Sequence, residues 1–131
     1  MRVRALLDTS TFLAASLDGI GKLSRATRQL LEDPETERVL SVLTYSEIAI
    51  KAAIGKLQMT AEHAIEAAAY LRLTVIPYTP QHAQRLFTLP LYENHRDPFD
   101  RMLIATALVE ELPIVSLDKK FKRYRGLKVL R

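Results

Sequence analysis

The chain has 131 residues, 48% of them hydrophobic, enough for one packed domain over residues 1–131 and too few for a comfortable second. The absence of cysteine excludes disulfides, thiolate metal sites and a cysteine nucleophile. A formal net charge of +4 tilts partners toward polyanions.

Val3 to Leu7 is a short apolar run ended by Asp8, which reads as a buried strand. Arg2 and Arg4 precede it, but Asp8 interrupts the run too early for a signal-peptide core. No later run is long enough to span a membrane, and the expectation is a cytoplasmic protein. A helix is predicted from Thr9 to Leu17, broken by Asp18, Gly19 and Gly21, and a second from Lys22 to Leu31, stopped by Asp33-Pro34. Val39 to Leu43 reads as the next strand. Thr44 then opens a helix ending at Gly55, and Thr60 caps another through Leu71. Leu73 to Ile76 is a third strand, followed by a short helix from Pro80 to Thr88 and a loop from Leu89 to Arg96. Asp97-Pro98 supplies an N-cap and a proline at the first helical position, starting a buried helix to Leu112. Ile114 to Leu117 is a fourth strand and Leu127 to Leu130 a short fifth.

Strands alternating with helices argue for an α/β fold of three layers, α/β/α, around a central parallel sheet of four or five strands. Ligands in such folds bind outside the carboxyl ends of the strands. Asp8 and Asp118 follow strands one and four, while Glu47 and Asp100 lie in the first turns of helices. All four acids therefore belong to one edge. Crowded carboxylates repel, and a divalent cation relieves that repulsion.

Each acid also has a local explanation. Glu47 fits a capping box with Thr44 or an ion pair with Lys51, and Asp8 fits a turn closed by Thr9-Ser10-Thr11. Asp97 fits an N-cap paired with Arg101, Asp100 suits a helix dipole, and Asp118 suits a turn before Lys119-Lys120. His63 and His82 read as surface or packing residues, and His95 beside acids is weak support for zinc. After Asp118 come Lys119, Lys120, Lys122, Arg123, Arg125, Lys128 and Arg131 with no balancing acid, which suits a phosphate backbone, an acidic partner protein or a solvated face.

Four segments carry a family resemblance: Leu6-Leu7-Asp8-Thr9-Ser10; Ser46 to Lys51 leading into Gly55-Lys56-Leu57; His95 to Ala105; and Ser116 to Phe121. In this order, over nearly the whole chain, the sequence resembles the PIN-domain family, and within it the VapC-like ribonuclease toxins of bacterial toxin–antitoxin pairs. The resemblance implies a metal-dependent endoribonuclease using Mg²⁺ or Mn²⁺, with Asp8, Glu47, Asp100 and Asp118 as the acidic quartet. It implies supporting roles for Ser10, Asp97 and Ser116. It further implies an antitoxin whose C-terminal segment covers the site, and often a homodimer. Arg96, Arg101, Lys119 and Lys120 are candidates to position the RNA backbone. Relatives with this third segment often carry histidine where Ser10 stands and tryptophan where Ser46 stands, so substrate contacts should differ more than the acid set.

Two other classes remain open on the residues. One is a non-catalytic RNA- or protein-binding module in which the acids are caps and turns. The other is a phosphotransfer domain with Asp8 as nucleophile, which lacks a second aspartate two residues on.

Overall fold

Alternation along the central strands divides the core into two layers, because successive strand residues point to opposite faces. In the computed structural model, which describes residues 3–131, Leu6, Val39 and Ile114 face a cluster with Leu103, Ile104 and Phe121. Their neighbours Leu7 and Leu40 face the other way, onto Phe12, Ile48, Met59 and Ala64. These leucines are fully buried, and each stabilises the fold by about 1.5–3 kcal/mol.

The strands are β1 (Val3–Leu7), β2 (Thr36–Ser41), β3 (Thr74–Ile76), β4 (Ile114–Val115) and β5 (Val129–Leu130). All pair in parallel, in the order β3-β2-β1-β4-β5. The helices are α1 (Thr9–Leu13), α2 (Arg25–Glu32), α3 (Val42–Ala53), α4 (Ala61–Tyr70), α5 (Pro80–Phe87) and α6 (Pro98–Glu110). The α/β expectation holds, with five strands. The chain leaves β1 toward β2 and β3, then crosses back to place β4 on the other side of β1. That reversal falls at the carboxyl ends of β1 and β4, the usual ligand position in such sheets.

Element order follows the sequence closely, and boundaries shift where nonlocal partners intervene. The second strand spans Thr36–Ser41 rather than Val39–Leu43. Its polar start pairs with Val3, Arg4 and Ala5, and the buried Arg38 guanidinium is satisfied by the carbonyls of Leu71 and Asp33, each at 3.0 Å. Ser41 ends the strand by capping α3, its hydroxyl accepting from the Leu43 amide at 3.1 Å. The capping box between Thr44 and Glu47 is therefore absent. Thr44 lies inside the helix, fully buried, with its hydroxyl 3.0 Å from that of Thr9.

The helix expected from Lys22 is a 3-10 turn over Ile20–Lys22 followed by α2, which Ser24 caps. α1 widens into a π-helical stretch over Ala14–Asp18 and stops at Gly19, whose φ of 82° suits glycine. Thr60 caps α4 and Asp97 caps α6 as expected. Asp97 accepts from the Asp100 amide at 2.9 Å, a bond worth about 1 kcal/mol, but it does not pair with Arg101. The Arg101 guanidinium donates instead to the carbonyls of Pro90 and Leu89, tying the preceding loop to α6.

Candidate functional site

The edge at the carboxyl ends of β1 and β4 carries groups that each element delivers for a local reason. β1 ends at Leu7, and Asp8 then caps α1 by accepting from the Thr11 amide at 2.8 Å. The Asp8 amide donates to the Val115 carbonyl at 3.1 Å, and the Thr11 hydroxyl donates to the same oxygen. Asp8 is thus stitched to the end of β4 and is only 3% exposed. Burial pushes its carboxyl above the ordinary range. The Ser116 and Thr11 groups facing it oppose that shift, and the charge of Asp118 adds to it.

Ser116 is fully buried at the exit of β4, and its hydroxyl accepts from the Asp118 amide at 3.1 Å. Asp118 in turn caps a 3-10 turn over Lys119–Arg123 by accepting from the Lys120 amide at 2.9 Å. Ser116 thereby stands between two of the four acids. Ser10 is exposed in the first turn of α1, beside Asp8 in the chain.

Asp100 projects from the first turn of α6. Its carboxyl is pushed up to about 6, chiefly by burial, with the charges of Asp97 and Asp8 adding and the His95 hydrogen bond opposing. Asp97 itself is exposed, and its contact is with the Asp100 backbone. Glu47 is 4% exposed on α3. One of its oxygens takes the Lys51 ammonium at 2.7 Å, the ion pair expected from their spacing. The other, Oε1, is buried without any hydrogen-bond partner. Lys51 is held above its usual range first by the hydrogen bond to Glu47, and the charges of Asp97 and Asp100 reinforce this. The ammonium therefore sits in the field of acids from both α3 and the start of α6.

A buried carboxylate oxygen without a donor is costly unless a cation serves it. The acids expected at this edge offer hard oxygen donors, which suit Mg²⁺ or Mn²⁺. The residues present thus fit such an ion. Among the described residues, ligand atoms of His95, Asp100 and Asp118 lie within 4.8 Å of one another, and Asp8 and Glu47 fall outside that group.

His95 is the residue whose place the sequence did not disclose. It is 3% exposed, with Nε2 3.1 Å from Asp100 Oδ2 and Nδ1 2.9 Å from the Tyr124 hydroxyl. The HRDPFD spacing alone contained a signal, since a histidine two residues before an N-cap can fold back over the first helical turn. Its other partner lies 29 residues away and was invisible. His82 takes the packing role of the two expected for it: buried, it accepts from the Thr79 amide and meets Glu110 at 2.8 Å, joining α5 to α6. His63 is exposed.

The candidate backbone-binding residues divide by environment. Lys119 and Lys120 are exposed immediately beside Asp118, and Arg96 is exposed and paired with Glu93. Arg101 is committed to the loop carbonyls. The basic C-terminal segment folds back, with Arg131 donating to the Leu117 carbonyl at 2.9 Å, Arg123 bonding Asn94, and Arg123 stacking over Tyr92. Among the described residues no helix is long and apolar enough to cross a membrane.

Solved structures share this fold at low identity. The match to VapBC2 from Rickettsia felis bound to a DNA fragment from its promoter has a TM-score of 0.71 and 16% identity, covering 98% of each chain. DNA-bound VapBC from Salmonella typhimurium gives 0.70 and 19%, over 98% of this chain and 97% of that one. VapBC-1 from nontypeable Haemophilus influenzae gives 0.61 and 21% over the same shares. A search of curated proteins found no significant match. The family model for the PIN domain matches residues 5–127, all four acids included, and the chain belongs to the PIN domain family.

Proposed function

We propose that this protein is a metal-dependent endoribonuclease and the toxin of a toxin–antitoxin pair. What supports the reading is the electrostatic coupling of Asp118 to Asp8 and of Asp8 to Asp100, with Lys51 between Glu47 and Asp100 and with Glu47 Oε1 buried and unpartnered. Asp8 and Asp100 would hold the cation, Glu47 would contribute its free oxygen, and Asp118 would act at a distance or through water. Bound Mg²⁺ or Mn²⁺ supplies Lewis acidity to the scissile phosphate and makes a water easier to deprotonate.

The chain's own residues do the remaining work. Ser116 and the Thr11 amide keep Asp8 oriented, and the Asp97 cap fixes the start of the helix that carries Asp100. Lys119, Lys120 and Arg96 would receive backbone phosphates, setting position rather than sequence. Arg101 would act mainly by holding the loop before α6. Ser10, at the mouth, would contact the substrate. In the hydrolysis, a water oxygen bonds to phosphorus as the P–O3′ bond breaks, leaving a 5′-phosphate and a 3′-hydroxyl.

Two observations support a protein partner. The solved structures of similar fold are VapBC proteins. An apolar groove between α3 and α4, lined by Tyr45, Ile48, Ala52, Met59 and Ile65, leaves Ile65 58% exposed, with Ile54 61% exposed nearby. Such surface suits cover by an antitoxin or by a second copy.

Incubation of purified protein with 5′-labelled RNA tests the activity. Cleavage in Mg²⁺ or Mn²⁺, abolished by a chelator and restored by excess metal, is expected. Intact RNA with binding retained would favour the non-catalytic module instead.

A further inference from the structure

We propose that His95, backed by Tyr124, is a positioning residue that aims the Asp100 carboxylate at the metal; this rests on the nuclease reading above. Asp100 sits in the first turn of its helix, and Oδ2 would otherwise be free to rotate toward solvent. His95 Nε2 reaches that oxygen at 3.1 Å. An ionised carboxylate only accepts, so Nε2 must carry the proton.

Tyr124 selects that state. Its hydroxyl lies 2.9 Å from Nδ1 and is 2% exposed with its ring. A protonated hydroxyl can donate to an unprotonated Nδ1. A hydroxyl donating to Nδ1 leaves the imidazole proton on Nε2, facing Asp100. The ring itself is fixed between Phe121 and Tyr124, at centroid distances of 5.3 and 5.5 Å. Its backbone is held by the bond from the His95 amide to the Tyr92 carbonyl.

The arrangement has a second consequence. Phe121 and Tyr124 belong to the segment that Asp118 caps, whereas Asp100 starts α6. His95 therefore couples the positions of two acids that the chain separates. Hydrogen bonds of this kind, made to a ligand from behind, typically govern metal affinity by about 10–100-fold.

The test is Mn²⁺ binding by calorimetry, alongside RNA cleavage and thermal unfolding, for His95→Leu, His95→Gln and Tyr124→Phe. Leucine fills the space without a donor, while the glutamine amide can still donate to Asp100. His95→Leu should weaken Mn²⁺ binding by about 10–100-fold. His95→Gln should recover most of that loss, and Tyr124→Phe should fall between. Circular dichroism of each variant reports whether the fold survives. Wild-type Mn²⁺ affinity in folded His95→Leu would overturn the proposal, as would a loss that glutamine does not repair. A wild-type protein that binds Mn²⁺ but leaves RNA intact would sink the nuclease reading while the His95 comparison still decides. Absence of any Mn²⁺ binding by the wild type would overturn both.

Discussion

Asp8→Asn will cleave RNA at least about 10²–10³-fold more slowly than the wild type and yet unfold at a higher temperature in metal-free buffer at pH 7. The loss follows from removing the acid most tightly built into this edge, held by the Thr11 amide at 2.8 Å and facing Ser116. The gain follows from its burial. A carboxyl raised above its ordinary value is more easily ionised in the unfolded chain, so its charge destabilises the fold at neutral pH. Asparagine removes that charge and still caps α1, which confines the change to electrostatics. The gain should be read directly as a higher melting temperature for the variant. Below the ordinary value of 3.8 the carboxyl is protonated in both states, and the advantage should vanish. Mn²⁺ should reverse the ranking by stabilising the wild type alone. Thermal melts with and without Mn²⁺, at pH 3.5 and 7, check all parts together. A lower melting temperature for the variant at pH 7 without metal would show that the acid is a structural cap and little else.

The metal-free wild type will lose stability as pH rises from about 4 to 6, whereas Mn²⁺ affinity and cleavage will climb through about pH 6 and level off near 7. Asp100 is the main cause, since its carboxyl is pushed up to about 6 by burial and by Asp97 and Asp8. In that window the unfolded chain has already lost its proton while the folded one keeps it. The folded state binds more protons, so stability falls with pH. A shift of that size would be worth nearly 3 kcal/mol in a sealed interior. The Asp100 side chain is 24% exposed, and solvent screening leaves about 1–2 kcal/mol. A cation competes with the same proton, which gives binding the opposite slope. Asp100→Asn should flatten the stability profile between pH 4 and 6. Denaturant unfolding across that range, with chelator present, is the check. An unchanged profile in the variant would assign the slope to other groups.

Local chemistry made much of this site readable. Asp8 at the end of an apolar run, Asp97-Pro98 before a helix and Asp118 before a turn are signals complete within a few residues. The expected order of strands and helices then assigned the acids to one edge, the edge at which parallel sheets bind ligands. What escaped depended on distant partners. Thr36 to Arg38 looked too polar for a strand because the carbonyls of Leu71 and Asp33 that satisfy Arg38 are set by the fold. Thr44 looked like a cap because its true partner, Thr9, lies 35 residues away. Arg101 stood one helical turn from Asp97, but carbonyls in the preceding loop claim it. His95 and Tyr124 could not be joined by any spacing rule, and Lys51 gave no sign of reaching Asp97 and Asp100 as well as Glu47.

The four acids also differ in how firmly each is committed without metal. Asp8 and Asp118 cap short helical turns, Asp100 is bound by His95, and Glu47 keeps one buried oxygen free. A cation held by Asp8 and Asp100 would also serve the orphaned oxygen of Glu47, for which no local role accounts.

Mn²⁺ titration calorimetry of the wild type beside Asp8→Asn, Glu47→Gln, Asp100→Asn and Asp118→Asn tests that claim most directly. The account predicts binding that Asp8→Asn and Asp100→Asn nearly abolish, that Glu47→Gln weakens clearly, and that Asp118→Asn weakens least. Wild-type affinity in the folded Asp8→Asn and Asp100→Asn proteins would contradict it.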